Sequence, residues 1–436
     1  MKFYNRESEL ALLKKIEEQS FQTAQMTFVV GRRRIGKTSL LLKSVEGKPF
    51  LYFFVARKNE ALLCDEFVET IKRTFSKEMY GSFKSFKDIF GYLIELSKTN
   101  HFTLIIDEFQ EFNSVNPGVY SEMQHVWDMH KSESKMNLIL CGSIYSMMKR
   151  IFEHSKEPLF GRATQRIQLQ EFSIQTIKDI YADYYPAYSS DDLLTFYMIT
   201  GGVAKYVETL VDSGVFTHEA IIDYVCSEHS LFLDEGKNML IDEFGKEYGN
   251  YFSILSLIAL SKTSRSEMES VLEMQIGGFL ERLESDFGII RRVKPIFAKP
   301  NSRNMKYAIH DNFLNFWFRF VYKHRSAVEI GNVLYLKEII QRDYTSYSGK
   351  ILEKYFIEKI KKEGNFSIIG TYWEKGNANE IDIVAVNELE KQLLFVEVKR
   401  NPEKININIL KQKAQVLIQT HKNFTVEYKG LSLHDM

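Results

Sequence analysis

Two sets of residues in this chain have the types and spacing for phosphate chemistry, one near each end. The first is Gly31-Arg32-Arg33-Arg34-Ile35-Gly36-Lys37-Thr38, a G-x-x-x-x-G-K-T run that follows the apolar stretch Met26 to Val30. A triphosphate needs many donors in a small space. Glycines let backbone N–H groups turn inward, the following helix offers its N-terminus, and a lysine reaches the outer phosphates. Gly31, Arg34, Ile35, Gly36 and Ser39 then line the nucleotide, Lys37 takes the β/γ-phosphates, and Thr38 ligates Mg²⁺. Downstream, Leu104-Ile105-Ile106-Asp107-Glu108 sets a carboxylate pair at the C-terminal tip of a strand, where open parallel sheets bind ligands. Asp107 is expected in the Mg²⁺ shell, and Glu108 is expected to orient or deprotonate the attacking water. Ser143 ends another apolar run, 137–143, and either contacts the γ-phosphate or caps a helix over 144–152. Arg162 lies on a turn, as a surface cation or as a guanidinium delivered to the γ-phosphate in cis or from a neighbouring subunit; Arg150 and Arg166 compete for that role.

The second set is C-terminal. Strand periodicity puts Glu397 and Lys399 on one face and Val396 and Val398 on the other, and Glu380 and Asp382 likewise share a face. Two carboxylates and a lysine at adjacent strand ends can cut a phosphodiester. Asp382 and Glu397 would bind Mg²⁺, which activates a water and stabilises charge on the phosphate. Lys399 would hold that water or the transition state, and Glu353, on a helix over 349–362, would complete the shell.

Several domains are needed to position these sets in 436 residues. The pattern reads as a nucleotide-binding α/β core over 1–170, a helical lid over 171–235, a winged helix over 236–325, a linker over 326–347 and an α/β domain over 348–436. Strands are expected at 49–55, 101–108 and 137–143, with helices at 60–75 and 83–98 between them. In the middle, helices 251–260, 265–273 and 279–284 precede two arms of a hairpin, 287–295 and 305–309, that carry Arg291, Arg292 and Lys294. That module suits double-stranded DNA, with a helix in the groove and a basic wing on phosphates, or packing against a regulatory protein. The aromatic run Asp311 to Val321 reads as a core helix packed on the winged helix, with a stacking platform for bases as the alternative. With 57 Lys plus Arg against 57 Asp plus Glu, net charge gives no general case for nucleic acid. Cys64, Cys141 and Cys226 have no pairing or C-x-x-C spacing, so a reduced, cytoplasmic setting is expected. Neither a secretory leader nor a membrane-spanning run is read.

Phe3-Tyr4-Asn5-Arg6-Glu7 with Glu9-Leu10, the phosphate loop, Leu104 to Glu108 and Leu159-Phe160-Gly161-Arg162 together resemble the prokaryotic, archaeal-type AAA-like ATPases related to the STAND group. The resemblance implies a P-loop NTPase core of the ASCE kind that binds ATP and Mg²⁺ and hydrolyses ATP, with Asn5 and Arg6 beside the adenine. Gly201-Gly202-Val203-Ala204-Lys205-Tyr206 looks like that family's lid motif, with Ala204 where proline is usual. Tyr307 to Phe320 matches the Tyr-x-Ile-x-Asp-x-Phe-Leu-x-Phe-Trp-x-Arg-Phe signature that precedes its C-terminal domain. That last block is similar to the PD-(D/E)xK nucleases in the DUF234-like form fused to these ATPases. The likeness implies a restriction-endonuclease-like fold, with Asp382, Glu397 and Lys399 as the D…E-x-K core and Glu353 as its helical glutamate. Ile381 stands where the leading proline is usual. The two implied activities make an ATPase that couples nucleotide state to DNA binding and Mg²⁺-dependent cleavage. The alternative is a nucleotide switch that binds DNA or a partner protein without cutting.

Overall fold

The structure is a computed structural model that describes residues 1–76, 83–299, 302, 304–374, 376 and 379–436. The chain divides into two compact units, one of Phe3–Glu171 with Val203–Lys205, the other of Met1–Lys2, Phe172–Gly202 and Tyr206–Met436.

The first unit is built on a five-stranded sheet of β1 (Gln25–Val30), β2 (Phe50–Phe54), β3 (Phe102–Asp107), β4 (Met136–Gly142) and β5 (Gln165–Gln168) in the order β2-β3-β4-β1-β5. Every pairing is parallel. β1, β3 and β4 are buried along their whole length, as near-continuous apolar strands covered on both faces must be. Side-chain alternation sends Phe28, Val30, Leu104, Ile106, Leu138 and Leu140 into one core and Val29, Ile105, Ile139 and Cys141 into the other. β4 lies between β1 and β3, so the tip of β4 separates the loop after β1 from the acids at the end of β3. This parallel α/β arrangement, with a glycine-containing loop between β1 and the next helix, resembles a P-loop NTPase core.

In the second unit, helices Ile174–Tyr184, Ser190–Thr200, His218–Val225 and Leu231–Phe244 come first. The helix Ser190–Thr200 starts with a reciprocal capping box between Ser189 and Asp192. Helices Tyr248–Ala259, Arg265–Leu272 and Gly277–Glu281 follow, then an antiparallel pair, β6 (Ile290–Val293) and β7 (Lys306–Ile309). The aromatic run is core: Phe313, Leu314, Phe316, Trp317 and Phe318 are buried, and Trp317 Nε1 donates to Leu233 O at 2.8 Å. The last sheet has the order β11-β10-β9-β8, with β8 (Ile368–Tyr372), β9 (Ile381–Asn387), β10 (Gln392–Lys399) and β11 (Thr425–Ser432). β10 pairs antiparallel with β9 and parallel with β11, the crossover being made by helix Ile407–Thr420.

The span 326–347, expected as a linker, is helical: helix Arg325–Glu329 occupies its start, and helix Val333–Glu363 runs unbroken through the rest. Gly349, read as a helix start, lies inside that helix with open space where a Cβ would stand. Tyr344, Tyr347, Ile351 and Leu352 are buried on either side of it and hold the helix through the glycine. The three cysteines are free and buried, and no helix among the described residues is long and apolar enough to cross a membrane.

Candidate functional site: a phosphate loop facing paired acids

Backbone conformation makes the loop. Arg34 at φ 67° and Gly36 at φ 92° are both left-handed, which turns the chain back before helix Lys37–Ser44 begins. No side chain caps that helix, so its first-turn amides face the loop. Lys37 is buried, and its ammonium donates to Gly31 O at 2.7 Å and Arg32 O at 2.9 Å, which sets it over the centre of the loop. Burial pulls its pKa below the usual lysine value, opposed by the nearby carboxylates of Glu108 and Asp107. Thr38 and Ser39 are exposed on the first turn, and Ile35 is buried beneath it. Lys205 N donates to Arg34 O at 3.0 Å, so the segment bearing Ala204 packs on the loop.

The acids arrive from β3. Asp107 Oδ2 accepts from Thr38 Oγ1 at 2.9 Å and from Tyr52 Oη at 2.6 Å, so the two predicted Mg²⁺ ligands touch. Hard oxygen ligands beside a buried lysine suit Mg²⁺ carried on a nucleotide. The next residue, Glu108, adopts φ 54°, a left-handed conformation that turns its carboxylate toward β4. Its Oε2 accepts from Ser143 Oγ at 2.7 Å and from Gln110 Nε2 at 2.5 Å. Ser143 therefore does not cap the following helix, whose N-cap residue is Ile144; it holds the second acid instead. Burial is the main reason the Cys141 thiol, under Asp107, is raised well above its usual range.

The other predicted residues fall outside this cluster. Arg6 is buried, with Nη2 donating to Gln170 O at 2.6 Å and Ile35 O at 3.5 Å, and Asn5 Oδ1 accepts from Arg6 N at 2.7 Å. The pair thus ties the N-terminal segment to the backbone under the phosphate loop. Arg162 contacts Phe160 O at 2.9 Å and Asp128 at 3.1 Å, neither of them part of the nucleotide cluster. Arg150 pairs with Glu157, and Arg166 with Glu153. Sequence reasoning missed Tyr52 and Gln110. Gln110 stood two residues beyond a recognised acid, but nothing in the pattern distinguished it from an ordinary turn residue.

At the other end of the chain the three predicted strand-tip residues do meet. The Lys399 ammonium lies 3.2 Å from Asp382 Oδ2 and 3.5 Å from Glu397 Oε1. Asp382 also accepts from Val398 N at 2.8 Å, and Glu397 Oε2 from Asn406 N at 2.9 Å. Burial first, then the carboxylates of Asp382 and Glu380, push the Glu353 carboxyl up to about 8. Among the described residues no three His, Cys, Asp or Glu side chains are arranged to hold one metal ion. A magnesium ion here would draw on Asp382 and Glu397, with water and substrate phosphate supplying the rest. Next to this group, Arg400 donates to Asp191 at 2.8 Å and to Ser348 Oγ at 2.8 Å, joining β10 to helices Ser190–Thr200 and Val333–Glu363.

Residues 3–210 match the ATPase domain found predominantly in Archaea, and residues 317–410 match DUF234, described as archaeal and bacterial proteins of unknown function. The Methanocaldococcus jannaschii protein named "Uncharacterized protein MJECL04" is 29% identical over 410 residues, which cover 91% of this chain and 87% of that one. A second protein of that organism, "Uncharacterized protein MJ0424", is 34% identical over 84 residues, 18% of this chain and 82% of that one. Among solved structures, the Walker-type ATPase PABY2304 of Pyrococcus abyssi superposes with a TM-score of 0.54 at 17% identity, covering 72% of this chain and 96% of that one. Over residues 3–210 the chain is thus similar to archaeal-type ATPase domains, and over 317–410 to the DUF234 proteins.

Proposed function

We propose that this ATPase uses nucleotide state to control a Mg²⁺-dependent, DNA-cleaving C-terminal domain. In this reading Lys37 and Thr38 hold ATP·Mg²⁺, Asp107 completes the ion's shell, and Glu108 activates water with Ser143 beside it. Helices 171–235 act as the lid, and Arg162 of a neighbouring copy stabilises charge on the γ-phosphate. The segment 236–325 acts as a winged helix, with exposed Arg291, Lys294 and Lys299 set toward the duplex backbone. The sheet β8–β11 acts as a restriction-endonuclease-like core. One observation carries the cleavage reading: Asp382 and Glu397, from neighbouring strands, converge on a single cation, the Lys399 ammonium. Two carboxylates that share one cation position are placed to share a magnesium ion when a phosphodiester arrives.

The test is plasmid nicking with Mg²⁺, with and without ATP, by the parent, Asp382→Ala and Lys37→Ala chains. The parent should nick, Asp382→Ala should not, and Lys37→Ala should lose the response to ATP. Nicking that survives Asp382→Ala removes the assigned site, and nicking indifferent to Lys37→Ala removes the control by nucleotide.

A second reading is favoured by the hydrogen bonds that Val398 N and Asn406 N already make to the two acids. These bonds satisfy Asp382 and Glu397 within the fold, as suits a nucleotide switch that binds DNA or a regulatory protein without cutting. Its signature is ATP turnover and ATP-sensitive retention of a duplex, with no nicking under any metal.

A further inference from the structure

Gln110 is wholly buried and makes a costly choice: its Oε1 is enclosed with no hydrogen-bond partner, while its Nε2 donates to Glu108. A methionine or leucine would fill the same volume without stranding a polar atom, so packing alone does not account for an amide here. The fold also makes room for it. A Cβ on Gly142 would stand 2.3 Å from Gln110 Oε1, so the tip of β4 admits the amide only because residue 142 is glycine. The same Nε2 also lies 3.5 Å from a second acid, at Glu111 Oε1. Glu111 is in turn clamped by Arg57, whose Nε and Nη2 lie 2.5 and 3.1 Å from its two oxygens. The backbone of Gln110 is pinned as well, its carbonyl accepting from Tyr120 Oη at 3.2 Å.

We propose that Gln110 is a positioning residue for ATP hydrolysis. It holds Glu108 Oε2 jointly with Ser143, so that Oε1 is presented to the attacking water, and the Arg57–Glu111 pair keeps the amide in place. The proposal rests on the reading of Glu108 as the group that activates water. A carboxylate held at one oxygen by two fixed donors loses the rotational freedom that would let it swing away from the water. Gln110 itself touches neither nucleotide nor water and acts through Glu108.

The experiment compares parent, Gln110→Met, Glu108→Gln and the double variant for steady-state ATP turnover, KM for ATP and Tm. Gln110→Met should lower kcat by about 10- to 100-fold with KM unchanged, the pattern of an interaction that matters in the transition state rather than in binding. Its Tm should not fall, because the stranded oxygen leaves with the amide. In the Glu108→Gln background the same substitution should cost nothing further, since the group it positions is already gone. A merely structural role would instead multiply through in both backgrounds. If Gln110→Met fails to fold, Glu111→Gln, which loosens the clamp, should give the same loss of kcat and the same non-additivity. Unchanged kcat in Gln110→Met beside an inactive Glu108→Gln overturns the positioning role alone. Full turnover by Glu108→Gln overturns the reading beneath it.

Discussion

Glu353 gives a prediction whose size follows from the crowding of acids. Its carboxyl is pushed up to about 8 from an ordinary 4.5 by burial and by Asp382 and Glu380, with Lys399 and Lys350 opposing. A raised acid favours the folded state fully only while it is protonated. Below about pH 4.5 folded and unfolded chains both carry the proton, and no cost arises. As pH rises from there toward about 8, the unfolded chain releases the proton and the folded chain keeps it, so stability falls across that window. At roughly 1.36 kcal/mol per pH unit, the ceiling is about 5 kcal/mol, and the part lost between about pH 5 and pH 8 is on the order of 3 kcal/mol. Glutamine copies the shape of the protonated acid and cannot ionise. Glu353→Gln should therefore melt close to the parent at about pH 5 and about 5 °C or more above it at about pH 8, measured in EDTA so that no divalent ion joins the acids. Parallel curves of Tm against pH for the two chains would refute the account of Glu353 as an acid forced to keep its proton by its neighbours.

Other outcomes follow from the same contacts. Lys37→Ala should abolish ATP binding by titration calorimetry, because it removes the buried ammonium over the loop. Glu108→Gln should bind ATP as the parent does yet turn it over at least about 100-fold more slowly, the usual scale for a lost general base. Gly142→Ala should destabilise the first unit by about 1–3 kcal/mol in urea, since the new methyl would stand 2.3 Å from Gln110 and 2.4 Å from Met148. Arg400→Met should lower stability by about 1–3 kcal/mol, because it strips Asp191 of a largely buried partner while keeping the side chain's bulk.

The chemistry was easier to read in the sequence than its setting. The phosphate loop, the acids ending β3 and the D…E-x-K strands are local patterns, and β1 to β4 lie within a residue or two of their expected places because a largely buried strand announces itself as an apolar run. β5 escaped notice because Ile167 is the only apolar residue among its four. The order that slots β4 between β1 and β3 is a long-range choice with no local signature. The pinning of Glu108 was illegible for the same reason: Ser143 lies 35 residues away, and only the parallel alignment of β3 with β4 brings it within 2.7 Å. Around Lys399 the strand pattern alone puts Asp382, Glu397 and Lys399 on one side, while the backbone donors from Val398 and Asn406 that steady the acids depend on how β10 exits the sheet.

Helix Val333–Glu363, at 31 residues about 46 Å long, has a consequence for how this molecule can be taken apart. A gene fragment starting at codon 348 would begin partway along a rod, shorn of the upstream turns that bury Tyr344 and Tyr347. Any exchange of the C-terminal sheet between relatives, in evolution or in the laboratory, has to carry the whole rod with it. The natural seam lies at Gly331-Asn332, where the chain turns and Asn332 starts the helix with its own side chain.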